Sequence, residues 1–153
     1  KLQDDSVKLM KYFEESIGPY PWKQYSIIQG GDGGMEYAMC TMITGERPYP
    51  SLLGVTAHEM AHAWFQHLLA TNEAKHAWMD EGFTEYVTSL SENYVNDVDP
   101  EFPHKSSYDR YYLLASSGFE QAQTIHSDRY DYNFAYVLQL IAKALFFFHS
   151  LDI

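Results

Sequence analysis

One cysteine, Cys40, stands in 153 residues. That leaves no partner for an intrachain disulfide and rules out a cysteine-built zinc site, and a single thiol assigns no compartment. Positive charge is also scarce: 10 Lys and Arg stand against 21 Asp and Glu, a formal net charge of −11. Binding to a phosphate backbone depends on cations, so this balance argues against nucleic acid as a partner and favours cationic groups near the surface. No apolar run reaches the ~18 residues that a membrane-spanning helix needs. Linkers, internal repeats and low-complexity tracts are missing as well. The chain opens on Lys1 with neither an initiator methionine nor a signal peptide, so it reads as a fragment, its localisation and oligomeric state undetermined by the sequence. With 46% hydrophobic residues it has the material for a packed core.

Along the chain, hydrophobic spacing predicts a helix over about 5–17, then a turn at Gly18-Pro19-Tyr20-Pro21. Strands follow near Tyr25–Gln29 and Met35–Ile43, and helices occupy the remainder. The fold class is α+β, a small sheet followed by a mainly helical part.

The densest chemistry is in His58-Glu59-Met60-Ala61-His62, followed after residues 63–80 by Glu81. Histidines at i and i+4 share one helix face, about 5–6 Å apart at Cβ, so both imidazoles reach a common ion. Glu59 is turned roughly 100° from His58. Its carboxylate is therefore beside the ligand face, where it takes a proton from a metal-activated water instead of binding the metal. Glu81 opens a second amphipathic helix, about 80–94, and the loop 72–77 is long enough to fold that helix back onto the first. Three protein ligands, His58, His62 and Glu81, with one position left for water, make a catalytic zinc site, one ion per chain.

A packing role for these residues is the alternative. The segment 51–71 reads as one helix with Ser51 as N-cap and apolar residues, Leu52, Val55, Met60, Trp64 and Leu68 among them, spread around it. Such a helix is buried, and burying two imidazoles and a carboxylate without partners or a metal costs several kcal/mol. The other histidines, His67, His76, His104, His126 and His149, lack ligand spacing to this pair.

Upstream lies Gln29-Gly30-Gly31-Asp32-Gly33-Gly34-Met35-Glu36-Tyr37, where glycines without a Cβ let the backbone approach a ligand. No helix opens after it, which excludes a phosphate-binding loop.

Gly33-Gly34-Met35-Glu36-Tyr37 resembles the GxMEN exopeptidase motif. Together with the HExxH and Glu81 pattern it is similar to the aminopeptidase N family, gluzincin metallopeptidases that also include leukotriene hydrolase, over about Gly18–Ala135. The resemblance implies a thermolysin-like catalytic domain, zinc as cofactor, and peptides with a free amino terminus as substrates. It implies that Glu36 binds the substrate α-amine and that Gly33, Gly34 and Met35 lie on the strand that pairs with the substrate backbone. Tyr37 stands where the family has asparagine. A fixed anion one bond from the scissile carbonyl is what an enzyme removing only the first residue requires, since a charge-assisted hydrogen bond both stops and aligns the peptide.

Residues 1–136 thus read as a partial catalytic domain and 137–153 as an atypical tail. Where the family's oxyanion-stabilising tyrosine belongs, in a YxKG pattern, this chain has Ile141. Suitable codons for 137–153, read with one extra leading base, restore Tyr-Ser-Lys-Gly at the implied spacing, so the tail reads as out of frame; an ordinary apolar helix over 134–148 is the competing description. Three activities follow: a zinc aminopeptidase cleaving the amino-terminal peptide bond; a zinc-binding but catalytically impaired fragment; or a thermolysin-like endopeptidase, which would have no use for Gly-Gly-Met-Glu. Zinc binding is expected to outlive turnover in this chain, because the three ligands and Glu59 all lie within 58–81.

Overall fold

A computed structural model describes residues 1–31 and 33–140. The chain opens with α1 (Leu2–Ser16), which carries Asp4 and Asp5 in its first turn, where carboxylates complement the helix dipole. Next come β1 (Ser26–Gln29), β2 (Gly34–Tyr37) and β3 (Cys40–Ile43). The sheet order is β1-β3-β2: β3 is central, parallel to β1 (Ser26 opposite Cys40) and antiparallel to β2 (Gly34 opposite Ile43). The strand expected over 35–43 is therefore a hairpin of two. Its turn falls at Ala38-Met39, which carries none of the residues that announce a tight turn in sequence.

Helix α2 (Tyr49–Ala61) starts behind Pro48, with a further proline in its first turn where the missing N–H costs nothing. It thus begins two residues before Ser51, and it does not run on to 71. Beyond His62 a π-helical segment, Ala63–Leu68, is broken at Phe65 (φ −88°, ψ 108°) and Gln66 (φ 100°, ψ −68°). A positive φ at glutamine is strained. Its amide donates to the Glu73 carboxylate, which ties the break to the loop leading into α3 (Ala77–Val95). Helices α4 (Lys105–Ser117) and α5 (Asn133–Leu138) follow, with a single 3-10 turn at Ser127–Arg129 between them. A small sheet and a mostly helical remainder make the fold α+β. Ile141 and most of the tail singled out above lie outside the described residues.

The core forms where α1, α2, the π-helical segment and α3 meet. Leu9, Phe13, Leu53, Ala57, Met60, Trp64 and Val87 are buried there. Phe13 and Trp64 meet with ring centroids 5.4 Å apart, and the Trp64 indole N–H donates to the Gly18 carbonyl at 2.8 Å. That bond satisfies the one polar atom of a buried tryptophan and pins the end of α1 against the segment that follows the two histidines.

Candidate zinc centre

Helix α2 presents His58, the residue that caps its C-terminus is His62, α3 presents Glu81, and their donor atoms converge. His58 Nε2 is 3.1 Å from Glu81 Oε2 and 3.3 Å from His62 Nε2, and His62 Nε2 is 3.8 Å from Glu81 Oε2. Donors held about 2.0–2.2 Å from one ion at tetrahedral angles stand about 3.3–3.6 Å apart, so this triangle has the size of one face of a zinc coordination sphere. The far nitrogens are occupied. His62 Nδ1 is 2.7 Å from Asp80 Oδ1 and 3.2 Å from the Thr84 hydroxyl, and His58 Nδ1 is 3.3 Å from Glu85 Oε2. An acceptor on Nδ1 fixes the ring orientation and turns the Nε2 lone pair to the metal, the usual support of a ligating histidine.

The electrostatics are those of a cation site. Burial opposes charge on His58, yet the carboxylates of Glu81 and Glu85 outweigh it and hold its pKa well above the ordinary histidine value. His62 is raised in the same way, with Asp80 overcoming burial. Anions that raise the proton affinity of two imidazoles in this way also favour a divalent cation in their place.

Glu59 lies beside the triangle, one carboxylate oxygen within 4.8 Å of a His62 ring nitrogen. It is buried, and its Oε2 has no hydrogen-bond partner. Burial pushes its carboxyl up to about 7. A buried, unpartnered carboxylate oxygen is expensive unless something polar comes to meet it. The backbone around Glu59 is firmly set, for its carbonyl accepts a hydrogen bond from the Tyr25 hydroxyl at 3.0 Å.

Strand β2 brings the second group. Glu36 points inward while Met35 and Tyr37 on either side are exposed, and one carboxylate oxygen each of Glu36 and Glu59 and one His62 nitrogen lie within 4.8 Å of each other. Burial raises the Glu36 pKa. At Gly34 a Cβ would fall on Glu59 Oε1, so only glycine lets the strand lie this close to that carboxylate. The carbonyl of Gly33 is held by Arg47, whose guanidinium also bonds Thr44. The side of β2 away from β3 pairs with no strand among the described residues, which leaves backbone groups free for an extended peptide. Beside it opens a cavity of about 270 Å³ lined by Glu36, Glu73, Asp80, Glu81, Ser127 and Tyr136. Another cavity, about 550 Å³ beside α1, is lined by side chains such as Val7, Met10 and Ile27 and has no carboxylate or imidazole on its wall.

Of the ligand, base and strand residues expected from the sequence, His58, His62 and Glu81 form the triangle, Glu59 lies beside it, and Gly34, Met35 and Glu36 lie on β2 with Gly33 just before it. Sequence reasoning missed Asp80, Thr84, Glu85 and Arg47. Glu85 carried a signal, since it stands one helical turn after Glu81 and so shares its face.

Comparison with known proteins places the chain in a family. The model of the peptidase family M1 domain matches residues 2–136. The chain belongs to peptidase family M1. Its relatives include a leukotriene A-4 hydrolase homolog of Botryotinia fuckeliana, 33% identical over 96 residues, covering 57% of this chain and 14% of that protein. Leucine aminopeptidase 2 of Sclerotinia sclerotiorum is 33% identical over 96 residues, 57% of this chain and 15% of its own. Leukotriene A-4 hydrolase of Xenopus laevis is 35% identical over 92 residues, with 54% and 15% covered. The chain thus spans about 14–15% of the length of these relatives.

Proposed function

We propose that the protein is a zinc-dependent aminopeptidase that hydrolyses the first peptide bond of peptides with a free amino terminus. The observation that carries this reading is the triangle of His58 Nε2, His62 Nε2 and Glu81 Oε2 at 3.1–3.8 Å, with a carboxylate oxygen of the buried Glu59 within 4.8 Å of a His62 ring nitrogen. His58, His62 and Glu81 hold the zinc. Bound there, zinc supplies Lewis acidity, polarising the scissile carbonyl and making water a nucleophile near neutral pH.

The chain's own groups do the rest. Glu59 accepts the proton of the attacking water and returns it to the departing amine. Glu36 accepts hydrogen bonds from the substrate α-ammonium, which stops the peptide one residue into the cleft. The backbone of Gly33, Gly34 and Met35 pairs with the substrate main chain along the open edge of β2. The names of the relatives, a leucine aminopeptidase among them, favour this reading over an endopeptidase.

The test is a pair of substrates, a short peptide with a free amine and the same peptide acetylated. An aminopeptidase turns over the first only, whereas cleavage of both at internal bonds overturns the assignment. A second reading is zinc binding without appreciable turnover in this chain by itself. It is favoured by a donor set that lies wholly within residues 58–81. Stoichiometric zinc with no release from an amino-acid anilide would establish it.

A further inference from the structure

We infer that Glu85, anchored by Arg110, is the positioning residue of His58, and that through it α4 sets how tightly the metal is held. The inference rests on the reading of His58 as a metal ligand.

The two imidazoles are secured differently. His62 is almost fully buried, with Asp80, Thr84 and the Phe65 carbonyl all within 3.4 Å of its Nδ1, so packing and three polar neighbours hold its plane. His58 has 17% of its side chain exposed and borders an open cavity of about 490 Å³ that Arg47, Glu92 and Arg110 also line. Its orientation therefore depends on the single acceptor at its far nitrogen, Glu85 Oε2 at 3.3 Å. The other oxygen of that carboxylate, Oε1, is 3.3 Å from Arg110 Nη1 on α4. One oxygen steers the imidazole while the other is tethered, so the carboxylate cannot rotate without breaking one bond.

Glu85 cannot share the ion with His58. It lies against Nδ1, and the two nitrogens of one ring diverge, so a metal at Nε2 is on the opposite side. Because Glu81 and Glu85 are four residues apart on α3, a ligand and the positioning group of another ligand move as one rigid piece. The alternative is that Glu85 and Arg110 form only a salt bridge between α3 and α4. With Arg110 about half exposed, such a pair adds little to stability and would leave metal affinity alone.

The two accounts separate in a zinc competition titration against a chromophoric chelator, run beside urea unfolding of the metal-free chain. Glu85→Ala is expected to lower zinc affinity by about 10- to 100-fold, the usual effect of removing such a partner. Glu85→Gln keeps an oxygen acceptor for the ring N–H and should recover most of that loss. Arg110→Ala, remote from the ion, should lose affinity in the same direction and by less. The unfolding midpoint of the metal-free chain should stay close to that of the unaltered chain for all three. Native zinc affinity in Glu85→Ala and Arg110→Ala overturns the inference, as does a loss of affinity matched by a loss of metal-free stability. If the unaltered chain takes up no zinc, the metal reading itself falls, a distinct result that the first titration shows.

Discussion

Residues 1–95 and residues 105–140 are held together in different ways. The first stretch gathers its apolar side chains into one cluster, from Leu9 and Phe13 through Leu53 and Met60 to Trp64 and Val87, and carries the two histidines and Glu81 on, or at the end of, helices that also line that cluster. In the second, Leu114, Ala135 and Leu140 are buried, while Tyr112, Leu113 and Phe134 are 48% to 61% exposed. The second stretch nevertheless touches the site, through Arg110 on Glu85 and through Ser127 and Tyr136 on the wall of the acidic cavity. One region carries the candidate metal ligands and the other contacts the residues around them from outside. Substitutions in the first should therefore abolish binding or folding, and those in the second should shift affinity or stability by small amounts.

The sharpest break is to remove a donor. His62→Ala or Glu81→Ala should cost on the order of a third of the ~10–16 kcal/mol that a tightly held zinc contributes, lowering the zinc content of the purified chain by elemental analysis. Glu59→Gln keeps all three donors and should retain the metal while losing turnover by about 100- to 10,000-fold, the range for a general base. Zinc retained by Glu81→Ala would break the comparison at its strongest point.

The next effect is on the core beneath. Trp64→Ala empties a fully buried site between Phe13 and the end of α1 and leaves the Gly18 carbonyl without its donor. About 3 kcal/mol of destabilisation is expected, read from chemical unfolding. Because Trp64 is two residues beyond His62, zinc should weaken with it, and a variant that loses stability with native zinc affinity would show that core and metal site are separable.

Glu36→Ala comes third. A hydrogen bond to a charged group is worth about 1.5–3 kcal/mol, so kcat/KM for free-amine peptides should fall by that much, with zinc content unchanged. Equal kinetics for the variant and the native chain would remove the amine anchor.

How much of this was legible in the sequence follows from what each feature depends on. His58, Glu59, His62 and Glu81 were legible because a helix fixes the relation of i to i+4 whatever lies around it, and because a 72–77 loop is enough to return a second helix. Glu36 was read through a family resemblance, and its place beside Glu59 needed the strand to pack on α2. The break at Phe65-Gln66 was not legible: neither residue is a helix breaker, and what holds it is tertiary, the Gln66 amide on Glu73. The hairpin turn at Ala38-Met39 was hidden for the same reason. Gly34 is the instructive case. Its lack of a side chain was read as room for a ligand, and the structure adds that the room is first taken by Glu59 Oε1.

The smallest expected effect sharpens the comparison from the other side. Gly118 ends α4 in the left-handed region, φ 76°, with open space where a Cβ would go. Gly118→Ala would therefore strain the backbone without a clash, at a cost of about 1 kcal/mol. Asparagine tolerates that conformation better than alanine, so Gly118→Asn should recover part of the loss. Both are to be measured by unfolding, with a zinc titration alongside. Strain at the cap acts on the last turn of α4, whereas Arg110 lies in the helix's middle, so stability should fall slightly and zinc affinity stay put. If affinity instead drops as far as it does in Arg110→Ala, the whole of α4, and not its one arginine, is what α3 leans on, and the division between the region that carries the ligands and the one that contacts their neighbours would have to be redrawn to include that helix.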